Sequence, residues 1–152
     1  MSHNCIENIY NYLKISDTIA TSGQPDEEDL FMLERAGYQL VMNLATSYSP
    51  DALENEKQIV ETLGMEYIHI PVAWENPLID DAKEFFKIME LNVNKKVLLH
   101  CVANQRVSAF IYLYRRIYTN ISDEEAKQYL HKIWIPNQVW QRFIDNVMNA
   151  YR

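Results

Sequence analysis

The sequence predicts an α/β fold: a small, mainly parallel central sheet of about four to five strands, helices on both faces, and a helical C-terminus. Three observations predict it. Short β-rich runs alternate with helical patterns over the first two thirds of the chain, glycine or proline closes most of these runs, and the pattern after Cys101 is helical to the end. With 152 residues, 48% of them hydrophobic, and no internal repeat or low-complexity tract, the chain reads as a single domain over 1–152.

Taken in order, residues 4–14 show the spacing of an amphipathic helix, and Thr18 to Ser22 form a first extended piece closed by Gly23. Pro25 and the acidic run Asp26 to Asp29 open a helix, since negative charge suits the positive end of the helix dipole, and Gly37 closes it. Tyr38 to Leu44 is the next strand. Ser49-Pro50 starts a helix that ends at Gly64, and Met65 to Ile70 is a strand stopped by Pro71. Asp80 and Asp81 begin a helix through about Leu91. Lys95-Lys96-Val97-Leu98-Leu99-His100 is a compact apolar run of the kind found in a central buried strand. Beyond Cys101, Val107, Phe110, Ile111, Tyr114 and Ile117 or Tyr118 form one apolar stripe; Ser122 and Glu125 make a capping box, and Pro136 breaks the chain before a last helix.

The net charge of −7 argues against nucleic acid as a partner, because phosphate backbones are held by clustered Lys and Arg. A single anionic group can still bind, since local amide dipoles and one Arg outweigh a modest net charge at short range. No run reaches the length needed to cross a bilayer, and Met1 to Glu7 lacks the basic start and apolar core of a signal peptide, so no membrane partner and a cytoplasmic location are expected. The two cysteines, Cys5 and Cys101, lie far apart and are expected to be reduced. His3, His69, His100 and His131 show no metal-ligand spacing, so neither a metal nor another cofactor is expected.

The segment His100-Cys101-Val102-Ala103-Asn104-Gln105-Arg106-Val107-Ser108 carries the candidate chemistry. A thiol attacks as its thiolate, and an unassisted cysteine titrates at about 8.5, so its surroundings must favour S⁻. A strand ending at Cys101 and a helix beginning near Arg106 would turn the intervening backbone N–H groups into one concavity, with Val102, Ala103, Asn104 and Gln105 as its rim. Arg106 adds a permanently charged fork able to grip two oxygens of a phosphate.

This arrangement resembles the signature of the cysteine-dependent protein tyrosine and dual-specificity phosphatases. Thr21-Ser22-Gly23-Gln24-Pro25, Val41-Met42-Asn43-Leu44 and Ile70-Pro71-Val72 with Trp74-Glu75-Asn76-Pro77 are similar to a small bacterial branch of that superfamily, the phosphatase-like domain of beta-lactamase hydrolase-like proteins, found fused to sulfur-metabolising enzymes. The resemblance implies Cys101 as the nucleophile forming a cysteinyl-phosphate, Arg106 as phosphate ligand, and Ser108 as the hydroxyl that eases thiolate departure. It also implies a phosphorylated small molecule or phosphoprotein as substrate.

The family usually places five residues between Cys and Arg, whereas Val102 to Gln105 are four, and the usual Gly is missing. Two alignments follow. In a loop shorter by one, Arg106 keeps its place and Asn104 supplies the positive φ. In a loop of full length, Ser108 aligns, Val107 takes the Arg position, and Arg106 is turned by roughly 100°. The sequence favours the shorter loop.

An acid must protonate the leaving oxygen, and the family takes it from an upstream loop. Here Ala73 stands where a carboxylate is common, and Glu75 is the nearest substitute; Asp80 and Asp81 read as helix caps. Trp74 reads either as an aromatic wall of the site or as a core plug, and Gln24 either reaches the anion or belongs to a turn. His100 reads as a hydrogen-bond partner that orients the loop. Two other functions fit the same residues: a rhodanese-like sulfurtransferase carrying a Cys101 persulfide, whose loop often has this spacing, and a noncatalytic phosphate-binding domain.

Overall fold

A computed structural model of the chain describes residues 5–49 and 51–151. Five strands form one sheet: β1 (Leu13–Lys14), β2 (Ile19–Ser22), β3 (Leu40–Asn43), β4 (Glu66–His69) and β5 (Val97–His100), in the order β1-β2-β5-β3-β4. Only the β1–β2 pair is antiparallel. β5 lies at the centre, with Ser22 of β2 and Asn43 of β3 both in register with His100. All four β5 residues are buried, as its unbroken apolar run predicts.

Side-chain alternation along the strands sorts the core into two layers. Leu40 and Met42 of β3 and Val97 and Leu99 of β5 face a large cluster built with α3 (Ile79–Leu91), α4 (Gln105–Tyr118), α5 (Asp123–Ile133) and α6 (Gln138–Ala150). Val41 and Leu98 face a smaller one built with α1 (Glu27–Arg35) and α2 (Glu56–Thr62). By the same parity Cys101 falls on the large-cluster side and His100 on the side of α2. α4 is wrapped by its neighbours, with every residue from Arg106 to Tyr114 buried rather than a single stripe.

Local chemistry accounts for the helix starts. Asp26 accepts from the Asp29 amide and Asp29 returns a bond to the Asp26 amide, a complete capping box at α1. Gly37, at φ 93°, ends that helix in a conformation costly for any other residue. Ser122 accepts from the Glu125 amide at α5, the expected cap in its one-sided form.

Two elements differ from the sequence expectation. The helix expected over 4–14 is one 3₁₀ turn, Ile6–Asn8, followed by β1. Asn11, at φ 50°, reverses the chain there, and its side-chain amide donates to the Ala103 carbonyl, so tertiary contact outweighs the helical spacing. The helix expected from Ser49-Pro50 begins only at Glu56, after Asn55 at φ 64°. The preceding turns carry Thr46, Tyr48 and Ser49 to the mouth of the cavity described below. Asn4 and Pro50, placed by the sequence at helix starts, lie outside the described residues, as does His3. Cys5 is exposed, Cys101 is buried, and neither is in a disulfide. Among the described residues no helix is long and apolar enough to cross a membrane.

Candidate active site

Cys101 sits at the C-terminal end of the central strand and is 1% exposed. It lines a cavity of about 320 Å³ together with Val102, Ala103, Gln105, Arg106, Trp74, Glu75, Thr46, Tyr48 and Ser49. Strand ends beside the start of a helix are where parallel sheets open clefts.

The loop after Cys101 is held from outside by its carbonyls. The Cys101 carbonyl faces Nδ1 of His100 at 3.3 Å, Val102 accepts from the Gln24 amide at 2.9 Å, and Ala103 accepts from Asn11 at 3.1 Å. Asn104 and Gln105 accept from the amide and the hydroxyl of Ser108. With the carbonyls engaged, the N–H groups of Val102, Ala103, Gln105 and Arg106 find no acceptor among the described residues. The last two are orphan donors of the first turn of α4. Gly23 makes the close approach to this loop possible, since a Cβ there would lie 2.7 Å from the Val102 carbonyl oxygen.

Asn104 adopts φ 67°, the left-handed conformation that glycine or asparagine tolerates. It is fully buried, and its amide donates to the Asn11 carbonyl and to Thr21 Oγ1 at 2.8 and 2.9 Å. This is the geometry of the shorter loop: Arg106 shares the cavity with Cys101, while Val107 points into the core and is 0% exposed. Asn104 therefore shapes the loop and is not among the residues lining the cavity.

Arg106 is 6% exposed; its Nη1 donates to the Val72 carbonyl at 2.8 Å, and its guanidinium lies 5.9 Å from the Trp74 ring centre. No carboxylate among the described residues pairs with it. Trp74 lines the cavity as an aromatic wall and packs on Trp134 and Trp140, whose indole N–H donates to the Trp74 carbonyl; 37% exposed, it does not plug the core. Glu75 is exposed at the cavity rim. Asp81 accepts from the Leu78 amide at the start of α3, as its capping reading requires, and burial raises its carboxyl above the ordinary value.

Besides Asn104, two sequence-derived site residues stand outside the cavity. Ser108 lies two positions beyond Arg106, and a helix turns its side chain away from the thiol: Oγ donates to the Gln105 carbonyl and accepts from the Trp134 indole at 3.0 Å, beside Leu13, Ile15 and Thr21. Gln24 does not line the cavity. Its amide donates to the Pro25 carbonyl and to Glu56 Oε1 at 2.8 Å.

Glu56, with Thr46, Tyr48 and Ser49, escaped the sequence reading. Its Oε2 lies 2.5 Å from Nε2 of His100, and both side chains are buried. No local signal marks it, because a Glu in the first turn of a helix is ordinary and its partner is 44 residues away. Asn43 accepts from the Ala45 amide and donates to Tyr67.

Comparison with known proteins places the chain in a family. The family model described as DSP-PTPase phosphatase fused to NAD+ kinase matches residues 10–141. The chain belongs to this phosphatase family. A DUF442 protein of Shewanella putrefaciens CN-32, solved as a candidate phosphatase, shares 33% identity with this phosphatase-family domain at a TM-score of 0.86, over 96% of each chain. Tk-PTP in its active form has the same fold, with a TM-score of 0.78 at 20% identity over 91% of this domain and 97% of its own chain. So has the core catalytic domain of the PP-IP phosphatase of S. cerevisiae, with a TM-score of 0.74 at 18% identity over 90% and 85% of the two chains. The phosphatase-family domain is thus a member of the tyrosine and dual-specificity phosphatase superfamily, with an α/β sheet and helical C-terminus of that type.

Proposed function

We propose that the domain hydrolyses phosphomonoesters through a phosphocysteine on Cys101. The observation that carries this reading is the buried, carboxylate-free guanidinium of Arg106, which shares one cavity with Cys101 and with loop amides that have no acceptor. A buried cation without a counter-ion beside unpaired donors asks for an anion, and a phosphate's three oxygens match that donor set. The Cys101 thiolate attacks phosphorus, forming the S–P bond as the P–O bond to the leaving group breaks. Glu75 delivers the proton to the departing oxygen. Water then attacks phosphorus and the S–P bond breaks, returning the thiolate and releasing phosphate, while Glu75 takes the water's proton. Arg106 and the amides hold the non-bridging oxygens through both steps. The substrate is a terminal phosphomonoester on a small molecule or protein, with Tyr48 and Trp74 flanking the entrance.

The test is p-nitrophenyl phosphate turnover by wild type, Cys101→Ser and Arg106→Lys. Loss of turnover in Cys101→Ser, and a fall of about 10²-fold or more in Arg106→Lys, are expected from the loss of nucleophile and bidentate fork. Equal rates for wild type and Cys101→Ser would sink the proposal. The four-residue spacing also suits a sulfurtransferase; a Cys101 persulfide after thiosulfate treatment, with thiocyanate release on adding cyanide, would favour that chemistry instead.

A further inference from the structure

We propose that Glu56 is a positioning residue for the nucleophile: its buried carboxylate holds His100 as an imidazolium, which fixes the Cys101 carbonyl and favours the thiolate. The inference rests on the reading of Cys101 as nucleophile.

The protons on His100 follow from the groups its ring faces. His100 is fully buried and both ring nitrogens face oxygens: Nε2 lies 2.5 Å from Glu56 Oε2, and Nδ1 lies 3.3 Å from the Cys101 carbonyl. A carbonyl only accepts, so Nδ1 carries a proton. The remaining proton lies between Nε2 and the carboxylate. Gln24 decides its place, because its amide donates to the other carboxylate oxygen at 2.8 Å and so favours the ionised acid. A carboxylate 5% exposed needs an opposite charge, and His100 is the group in contact able to supply it.

The other groups around the pair fit this charge state. Tyr67 of β4 is neutral, its phenol pushed up to about 12 by burial and then by the Glu56 charge. Glu54, Lys57 of α2 and His69 of β4 line the same cavity as Glu56, a space of about 560 Å³ on the far side of Thr46. On the loop side stand Cys101 itself and the uncharged Gln24. A fixed positive charge on the residue before Cys101 favours S⁻ over SH by direct attraction. The bond to the Cys101 carbonyl holds that peptide in the orientation the rest of the loop requires. The β2–α1 turn and α2 are thereby tied to the reacting sulfur through one buried chain, Gln24 to Glu56 to His100.

The experiment reads Cys101 itself and needs no turnover. Alkylation by iodoacetamide is followed by mass from about pH 5 to pH 9 in a Cys5→Ser background. Glu56→Gln is the informative variant, since its oxygen can still accept from Gln24 and its amide can donate to Nε2 of a neutral imidazole. Shape is kept and charge removed. The profile of Glu56→Gln is expected to move to higher pH, slowing alkylation near pH 6 about tenfold, with kcat at low pH falling in parallel and KM nearly unchanged. His100→Asn should move it equally, and the double variant no further. Superimposed profiles for wild type and Glu56→Gln would overturn the proposal. Imidazole ¹⁵N spectra of the wild type give a reading free of any variant: two protonated nitrogens on His100 near neutral pH support it, and one overturns it. A displaced alkylation profile without aryl phosphate turnover would support the Glu56 role while removing the phosphatase reading.

Discussion

Asn104 and Ser108 show how position within a turn decides what a polar side chain does. Asn104 combines a left-handed backbone with two buried donations that tie the loop to Asn11 and Thr21. Asn104→Ala places a Cβ in that conformation without the compensating bonds, and should cost about 2–3 kcal/mol of stability. Asn104→Gly loses the bonds but not the backbone geometry, and should cost about 1 kcal/mol less than the alanine variant. Urea unfolding of the two variants beside wild type checks the order; a glycine variant less stable than the alanine one would contradict it. Ser108 tests the opposite case, since its hydroxyl serves Trp134 and not the thiol. Ser108→Ala should lose about 1 kcal/mol of stability while keeping aryl phosphate turnover within about twofold of wild type. Accumulation of phosphocysteine in that variant, seen by mass, would restore the catalytic role that the sequence pattern implied.

Among the elements, the α4–α5 corner carries a compact charge cluster that gives a pH-dependent contribution of known sign. Asp123 Oδ1 accepts from Tyr112 and Arg116, both at 2.6 Å, and Oδ2 pairs with Lys127 at 3.0 Å. The Tyr112 hydrogen bond, then those cations, hold the carboxyl below its usual value of 3.8. A group lowered on folding stabilises above its unfolded value and loses that contribution as pH falls through the lowered one. Unfolding midpoints of wild type and Asp123→Asn should therefore differ at pH 7 and converge as the pH drops below about 4. A constant difference down to pH 2 would exclude this linkage. The groups are partly exposed, so added salt should shrink the difference at neutral pH.

For the whole molecule, the relevant titrating groups are phenols distributed through both core layers. Burial raises Tyr67 and Tyr112 to about 12, and raises Tyr38 and Tyr114 further. A phenol raised on folding contributes stability that is fully present below its ordinary value of 10 and is lost as pH climbs through the raised one. The fold should therefore weaken between about pH 10 and pH 12, with tyrosinate absorbance appearing together with loss of circular dichroism. Tyrosinate absorbance that rises smoothly from pH 10 in a folded protein would show these phenols to be accessible instead.

By itself the sequence determined the parallel sheet, the strand that delivers Cys101, the acidic start of α1, the Ser122 cap of α5, and the loop with its Cys and Arg. Each of these is written in short-range patterns: apolar runs, capping residues a few positions apart, and one contiguous motif. Tertiary structure decided what depends on residues distant in the chain. Asn11 breaks a helical spacing because its partner is Ala103, and β1 is too short to show a period. The direction of Ser108 depended on where Arg106 lies along α4. The partnership of Gln24, Glu56 and His100 joins three separate segments, and burial makes it matter, since a carboxylate and an imidazole that would be unremarkable in water must satisfy each other's charge when both are enclosed.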